Sequence, residues 1–259
     1  MDRTPTLDSE RIRFLEAIAV TAWPPAAAET LEGWRLGFDR GVTRRANSVL
    51  PNELPAGADP EALIDAAERR YRGHGLAPCF KICPAAQPAD LDGRLAARGY
   101  RDEGHSSVLT APLEAQQPAP AGGEGLEIRL QAAPDDAWLA ACWPDSDPAQ
   151  AEAKRLISSR IRPPRCFALG LVEGRPAGAA AAAVDSGWTC INAVQTHPDF
   201  RRRGIARALM AALTAWAGDQ GAGHLYLQVE EDNTPAQRLY TGLGFGFAYP
   251  YHYRRLAAG

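Results

Sequence analysis

The sequence predicts a mixed α/β (α+β) protein in which a mixed, mostly antiparallel sheet is flanked by helices, with two such units in tandem. Two observations carry this reading. Three β-patterned segments in the C-terminal half are joined by short turns of the kind that close hairpins, with helical patterns on either side. A similar succession precedes them in the N-terminal half, across a stretch rich in proline, glycine and glutamine.

The N-terminal elements follow in order. Apolar spacing predicts a helix over Ser9 to Ala19, then strands Gly33 to Phe38 and Val42 to Leu50 around an Asp39-Arg40-Gly41 turn. A helix from Pro60 to Tyr71, a strand from Cys79 to Cys83, a helix from Ala89 to Ala97 and a strand from Tyr100 to Leu113 complete a first domain over residues 1–114. Ala115 to Gly125 reads as the linker.

The second domain, residues 126–259, opens with a strand from Leu126 to Leu130 and helices near Asp135 to Cys142 and Pro148 to Ser159. A meander follows, Cys166 to Val172, Ala177 to Val184 and Trp188 to Val194, with turns at Glu173-Gly174-Arg175-Pro176 and Asp185-Ser186-Gly187. A helix with Ile205, Leu209, Leu213 and Trp216 on one face comes next, then a strand from Leu225 to Val229, a helix containing Tyr240, and an aromatic segment from Phe245 to Arg254.

A chain of 259 residues holds one large or two medium domains with ample core, and 46% hydrophobic with 23% charged residues is ordinary for a soluble globular protein. A net charge of −3 gives no electrostatic case for a nucleic-acid partner. The first residues lack a basic and then apolar leader, and no apolar run approaches a membrane span, so the expectation is a reducing cytoplasm, no membrane, and a monomer or homodimer. Five cysteines without zinc spacing read as buried free thiols, with no metal expected.

The segment Asp199-Phe200-Arg201-Arg202-Arg203-Gly204-Ile205-Ala206-Arg207 joins a β-patterned segment to an amphipathic helix. A glycine-containing turn feeding a helix start gathers unpaired backbone N–H groups at the positive end of the helix, which makes an anion site, above all for phosphate. Downstream stands Asn233-x-x-Ala236-x-x-Leu239-Tyr240-x-x-x-Gly244-Phe245. With these two motifs, Arg201-x-x-Gly204-x-Ala206 and the Asn233 to Phe245 pattern, the chain resembles the GCN5-related N-acetyltransferase superfamily.

That resemblance implies the fold predicted above, in the order β-α-α-β-β-β-α-β-α-β over the second domain, and acetyl-CoA as co-substrate without a metal. Backbone N–H groups of Arg202, Arg203, Gly204, Ile205, Ala206 and Arg207 would cradle the pyrophosphate, while side chains such as Arg201 either reach the 3′-phosphate or face water. The resemblance also implies that Val194, Gln195 and Thr196 splay from the following strand and hold the pantetheine arm; ordinary strand pairing is the other role open to them. Thr234-Pro235-Ala236-Gln237 reads as a capping box, leaving Asn233 just ahead of it to bond the pantetheine. Tyr240 is either the acid that protonates the departing thiolate, as in the family, or a core residue.

The base is open. Gln228 stands where some relatives have a glutamate, and it cannot accept the proton; Glu230, on the same strand face, a water chain, or an amine arriving neutral are the alternatives. Arg44-Arg45-Ala46-Asn47-Ser48 is polar for a strand, so that Arg45 and Asn47 either line the acceptor site or mark a charged edge. His252 is a further acceptor-side candidate. The acceptor is expected to be a small-molecule primary amine (an amino sugar, amino acid derivative or polyamine-like compound), a peptide or protein amine being the alternative within the enzyme class and acyl-CoA sensing without turnover the alternative outside it.

In the N-terminal half, Arg94-Leu95-x-x-x-Gly99-Tyr100 parallels Arg238-Leu239-x-x-x-x-Gly244-Phe245, one residue shorter, which places Ala96 where the second half has Tyr240. Pro51 to Asp59 stands in place of the phosphate turn, its two prolines removing N–H donors. The first domain therefore reads as a degenerate copy without a cofactor site.

Overall fold

The computed structural model describes residues 4–116 and 125–257. Most of the expected linker lies outside the described residues. In chain order the elements are α1 Ser9–Thr21, β1 Ala27–Leu31, β2 Trp34–Phe38, β3 Val49–Leu50, α2 Pro60–Gly73, β4 Cys79–Ile82, α3 Leu91–Ala97 and β5 Arg101–Pro112. There follow β6 Leu126–Gln131, α4 Asp136–Cys142, α5 Pro148–Arg160, β7 Arg165–Val172, β8 Arg175–Asp185 and β9 Trp188–Thr196. The last elements are α6 Ile205–Asp219, β10 His224–Glu230, α7 Thr234–Thr241 and β11 Gly246–Arg255.

The chain divides into two compact units that exchange segments: Met1–Val108 with Glu230–Asp232 and Phe247–Gly259, and Leu109–Val229 with Asn233–Gly246. The C-terminal strand thus belongs mainly to the first unit, where His252 to Arg255 of β11 pair antiparallel with Ile82 to Cys79 of β4.

Within the first unit the strand order is β1-β2-β3-β4-β11, with β3 and β4 parallel. Trp34, Leu36, Phe38, Ile64, Tyr71, Phe80, Leu91 and Leu95 fill its core. A buried ion pair crosses that unit. Lys81 Nζ lies 2.6 Å from Glu16 Oε2, the Tyr249 hydroxyl donates to Glu16 Oε1 at 3.0 Å, and the Tyr251 ring sits 3.9 Å from the ammonium. Satisfying both charges in this way is what makes their burial tolerable.

One strand here was not expected and one expectation fails, both for local reasons. β1 carries little β-branched or aromatic signal; its pairing with β2 is made by the Glu32-Gly33 turn, both residues at positive φ as a two-residue hairpin turn requires. The strand expected over Val42 to Leu50 shrinks to Val49–Leu50, because Arg44–Ala46 forms a single 3-10 turn. Asn47 causes this: its Oδ1 accepts from Asp39 N at 2.8 Å and Gly41 N at 3.1 Å, and its Nδ2 donates to Thr43 O at 2.8 Å, so a side chain takes the backbone groups that a ladder would need.

In the second unit β6, β7, β8 and β9 form an antiparallel run and β10 adds parallel to β9. The mixed, mostly antiparallel sheet is as expected, and α4 and α6 both pack against β8. Glycine and alanine occupy Ala177 to Ala183 of β8, which lets the helices approach.

Candidate active site

Helix α6 begins without a side-chain cap. Gly204 occupies its N-cap in the left-handed region (φ 78, ψ 3), and the first intrahelical bond runs from Ala208 N to Gly204 O at 3.0 Å. The N–H groups of Ile205, Ala206 and Arg207 therefore have no helical acceptor and face the positive end of the macrodipole. A Cβ at Gly204 would meet nothing within 4 Å, so the space beside this backbone is open. Arg202 is also left-handed (φ 64), which turns the chain sharply ahead of the helix. The Arg203 and Arg175 guanidinium groups lie 5.5 and 5.1 Å from the ring of buried Phe200, and these two, like Arg201 and Arg202, are exposed.

Strand β9 approaches the same turn. Its parallel ladder with β10 ends at Ile191 opposite Leu227, although β9 continues to Thr196 and β10 to Glu230. Gln195 and Thr196 stay paired on the other side, with Ala179 and Gly178 of β8. The β9–β10 register therefore ends at Ile191, three residues ahead of Val194. Gly178 permits the packing there: a Cβ would stand 2.7 Å from Gln195 O and 2.9 Å from Ile205 Cγ2, so the end of β9 and the start of α6 meet over a residue that can carry no side chain.

Helix α7 contributes Asn233 and Tyr240. The expected capping box is displaced by one residue: Asn233 itself is the N-cap, its Oδ1 accepting from Ala236 N at 3.2 Å, with Pro235 in the first turn. Asparagine is favoured over threonine at an N-cap, and Asn233 takes that place. Tyr240 is buried, and burial alone pushes its phenol up to about 12. Arg207 Nη2 lies 3.6 Å from where a Cβ on Gly242 would be, which sets the first turn of α6 beside the end of α7.

The two helix ends compared in the sequence close alike, in a register shifted by one. Tyr100 N donates to Leu95 O at 3.1 Å behind Gly99, and Phe245 N donates to Tyr240 O at 3.0 Å behind Gly244, both glycines at φ 83. By this closing bond Leu95 takes in α3 the place that Tyr240 takes in α7, whereas by count from the helix end that place falls to Ala96.

Val194, Gln195, Thr196, Arg201 to Arg207, Gln228, Asn233 and Tyr240 all lie in the second unit. Glu230, Arg45, Asn47 and His252 belong to the first, and each is engaged there. Arg44 Nη2 lies 3.0 Å from Glu230 Oε1, the Arg45 guanidinium covers the Trp23 ring at 4.7 Å, Asn47 holds its turn, and His252 Nε2 bonds Asp92 Oδ1 at 2.8 Å. Among the described residues, Asp102, His105 and His252 bring three potential metal ligands within 4.8 Å of one another, with Arg254 Nη2 3.9 Å from Asp102 Oδ2. No helix among them is long and apolar enough to cross a membrane.

An uncapped helix start after a glycine turn, next to an interrupted parallel ladder in a mixed sheet, defines a GCN5-related N-acetyltransferase. The chain belongs to the family described as "Probable histone acetyltransferase Rv0428c C-terminal", whose model matches residues 9–256. It is 26% identical over 246 residues to the "Uncharacterized N-acetyltransferase YobR" of Bacillus subtilis (strain 168), covering 94% of this chain and 98% of that protein. Over 86 residues, 32% of this chain and 45% of the relative, it is 37% identical to the "Streptothricin acetyltransferase" of Streptomyces lavendulae. Among solved structures it resembles a GCN5-related N-acetyltransferase from Kribbella flavida (TM-score 0.75, 16% identity, 98% and 97% of the two chains). It also resembles a tandem protein of this fold from the clavulanic acid biosynthesis pathway (TM-score 0.66, 15% identity, 95% and 88%).

Proposed function

We propose that the second unit transfers the acetyl group of acetyl-CoA to a primary amine of a small molecule, in the cytoplasm, and that the first unit is a copy of the fold that binds no cofactor. The single observation that carries the site is the open β9–β10 ladder beside the uncapped start of α6. The N–H groups from Arg202 to Arg207 hold the pyrophosphate, the unpaired edge at Val194 to Thr196 takes the pantetheine arm, and Asn233 keeps its Nδ2 for the same arm while its Oδ1 caps α7.

The amine attacks the thioester carbonyl to give a tetrahedral intermediate, whose oxyanion is stabilised by backbone N–H of β9. The C–S bond then breaks and the Tyr240 phenol supplies the proton to the sulfur. A phenol at about 12 is a reluctant donor to a thiolate whose thiol has an ordinary pKa ~8.5, but the burial that raises the phenol raises the pKa of a thiol beside it as well. The amine's own proton leaves to water, since Gln228 cannot take it and Glu230 is held by Arg44.

A small acceptor is supported by the local likeness, over 86 residues, to the streptothricin enzyme. The family's description favours a protein amine as the second reading. Leu95 in the place of Tyr240, and the prolines in place of the glycine turn, support the first unit as the inactive copy. The test is a screen of aminoglycosides, amino acids, polyamines and lysine-containing peptides, following release of free CoA. Turnover of a small amine well above any peptide supports the proposal; turnover confined to peptides refutes the acceptor class, and CoA binding without turnover of any amine refutes the reaction.

A further inference from the structure

Between Ala179 and Ala181 the β8–β9 register slips: Ala181 pairs with Asn192 but Ala179 with Gln195, so Ala193 and Val194 together face Ala180. This is a β-bulge, and Ala193 sits in it at φ 55, a left-handed conformation that a residue with a side chain adopts only under strain. Strain of that kind persists only where the surroundings hold it.

The surroundings here are one face of α4. Trp138 and Cys142 are four residues apart and so point the same way. The indole Nε1 of Trp138 donates to Ala180 O at 3.0 Å, and the thiol of Cys142 donates to Ala193 O at 3.3 Å. One helix therefore places two side-chain donors on the two carbonyls that flank the slip, one on each strand. Both side chains are buried, and the start of α4 is itself fixed by Asp135 Oδ1, which accepts from Trp138 N at 2.7 Å. Edge-on contacts with Phe167 at 5.1 Å and Trp143 at 5.4 Å pack the indole in place. Burial also raises the Cys142 thiol well above its usual range, so the S–H donor is retained.

The bulge stands two residues beyond Ile191, the last β9 residue paired with β10. A bulge bends its strand and increases the local twist, which is what separates β9 from a neighbour it had been pairing with. We infer that Trp138 and Cys142 are positioning residues for acetyl transfer: they clamp the bulge at Ala193 and thereby set the backbone edge of Val194 to Thr196 that receives the pantetheine arm. This rests on the reading that those three residues hold that arm. Neither side chain touches the reacting atoms, and each acts through a backbone carbonyl.

The test uses the full chain with Trp138→Phe, which keeps the ring contacts and loses the N–H, Cys142→Val, which fills the same space and loses the S–H, their combination, and Cys142→Ser, which keeps a donor. Two ligands are titrated by calorimetry: CoA, and adenosine 3′-phosphate 5′-diphosphate, which has the phosphates without the pantetheine. The combined variant is expected to bind CoA about tenfold more weakly and the nucleotide within about twofold of the unmodified protein, with Cys142→Ser close to unmodified for both. A merely structural role would lower the melting temperature and move both ligands together or neither, and either pattern in folded protein overturns the inference. Should the combined variant not fold, Cys142→Val against Cys142→Ser decides, and equal CoA affinity in that pair overturns it. Amide exchange of Val194 to Thr196 in the unmodified protein, with and without CoA, separates the two levels. Without protection the slot reading fails and this inference with it; with protection but unaltered CoA affinity in the variants, only the clamp fails.

Discussion

Arg44 Nη2 stands 3.0 Å from Glu230 Oε1, and Glu103 Oε1 lies 3.8 Å from Nη1 of the same guanidinium, so the carboxylate that ends β10 is part of an ion-pair group of the first unit. That pair engages Oε1 of Glu230 with a guanidinium on the first unit. Glu230→Gln is therefore expected to lower kcat/KM for acetyl transfer by less than about fivefold, the scale of a partly exposed pair. A loss near hundredfold, with the acid limb of the pH profile displaced, would make Glu230 the base after all.

Tyr240→Phe removes only an oxygen from a buried ring. Its kcat is expected to fall about a hundredfold while CoA affinity changes by less than about threefold. Because burial pushes the phenol up to about 12, it stays protonated through pH 10, and any alkaline limb of kcat below that belongs to another group and survives in the variant. The sign for stability follows: a raised pKa contributes stability that is whole below the unfolded value near 10 and is lost as pH rises through 12. Melting curves of the two proteins should accordingly converge between pH 10 and 12; a gap that widens in favour of the native tyrosine would contradict this.

Gly178→Ala would drive a methyl to 2.7 Å from Gln195 O. Backbone cannot yield there as a flexible side chain would, so the expected cost is about 2 kcal/mol of stability together with weaker CoA binding. Gly187→Ala, at a position where a Cβ meets nothing, is the control for strain alone, since its φ is 77. If the two variants lose CoA affinity equally, the crowding at Gly178 is not what shapes the slot.

All five cysteines are buried and unbridged. Burial pushes the Cys79 and Cys83 thiols up to about 12. Their neutral forms support the fold fully below about pH 9, and that support is lost as pH climbs through 12. A disulfide-exchange reagent at pH 8 should find no fast thiol in the native protein and five after denaturation. Rapid stoichiometric labelling of the folded chain would be incompatible with this packing.

The parts of the fold that were legible in the sequence are those with a strong period or a motif. The meander, α6 and α7 announce themselves through hairpin turns, the Ile205, Leu209, Leu213 face and the Asn233 to Phe245 pattern. What escaped is what depends on competition between side chain and backbone. Asn47 dissolves a strand, Asn233 captures a cap from Thr234, and the bonds that close α3 and α7 show only in the folded backbone. Trp138 and Cys142 were illegible for another reason: an indole and a thiol in an apolar helix look like packing until the carbonyls that they meet are known. Likewise the engagement of Glu230, Arg45 and His252 depends on Arg44, Trp23 and Asp92, all distant in sequence.

The placement of β11 has a bearing on how the protein is made. Its residues 252–255 pair with β4, and its Tyr249 and Tyr251 complete the cage around the Lys81–Glu16 pair, yet they leave the ribosome only after the whole of the other unit. The unit whose first elements stand earlier in this chain is thus completed after the other. Until β11 arrives, β4 keeps an open edge, and Lys81 and Glu16 lack two of their neighbours, a state in which such edges invite wrong pairing. Vectorial synthesis therefore runs against the order of completion, and a nascent chain halted before Phe247 should be a better client for chaperones than the released protein.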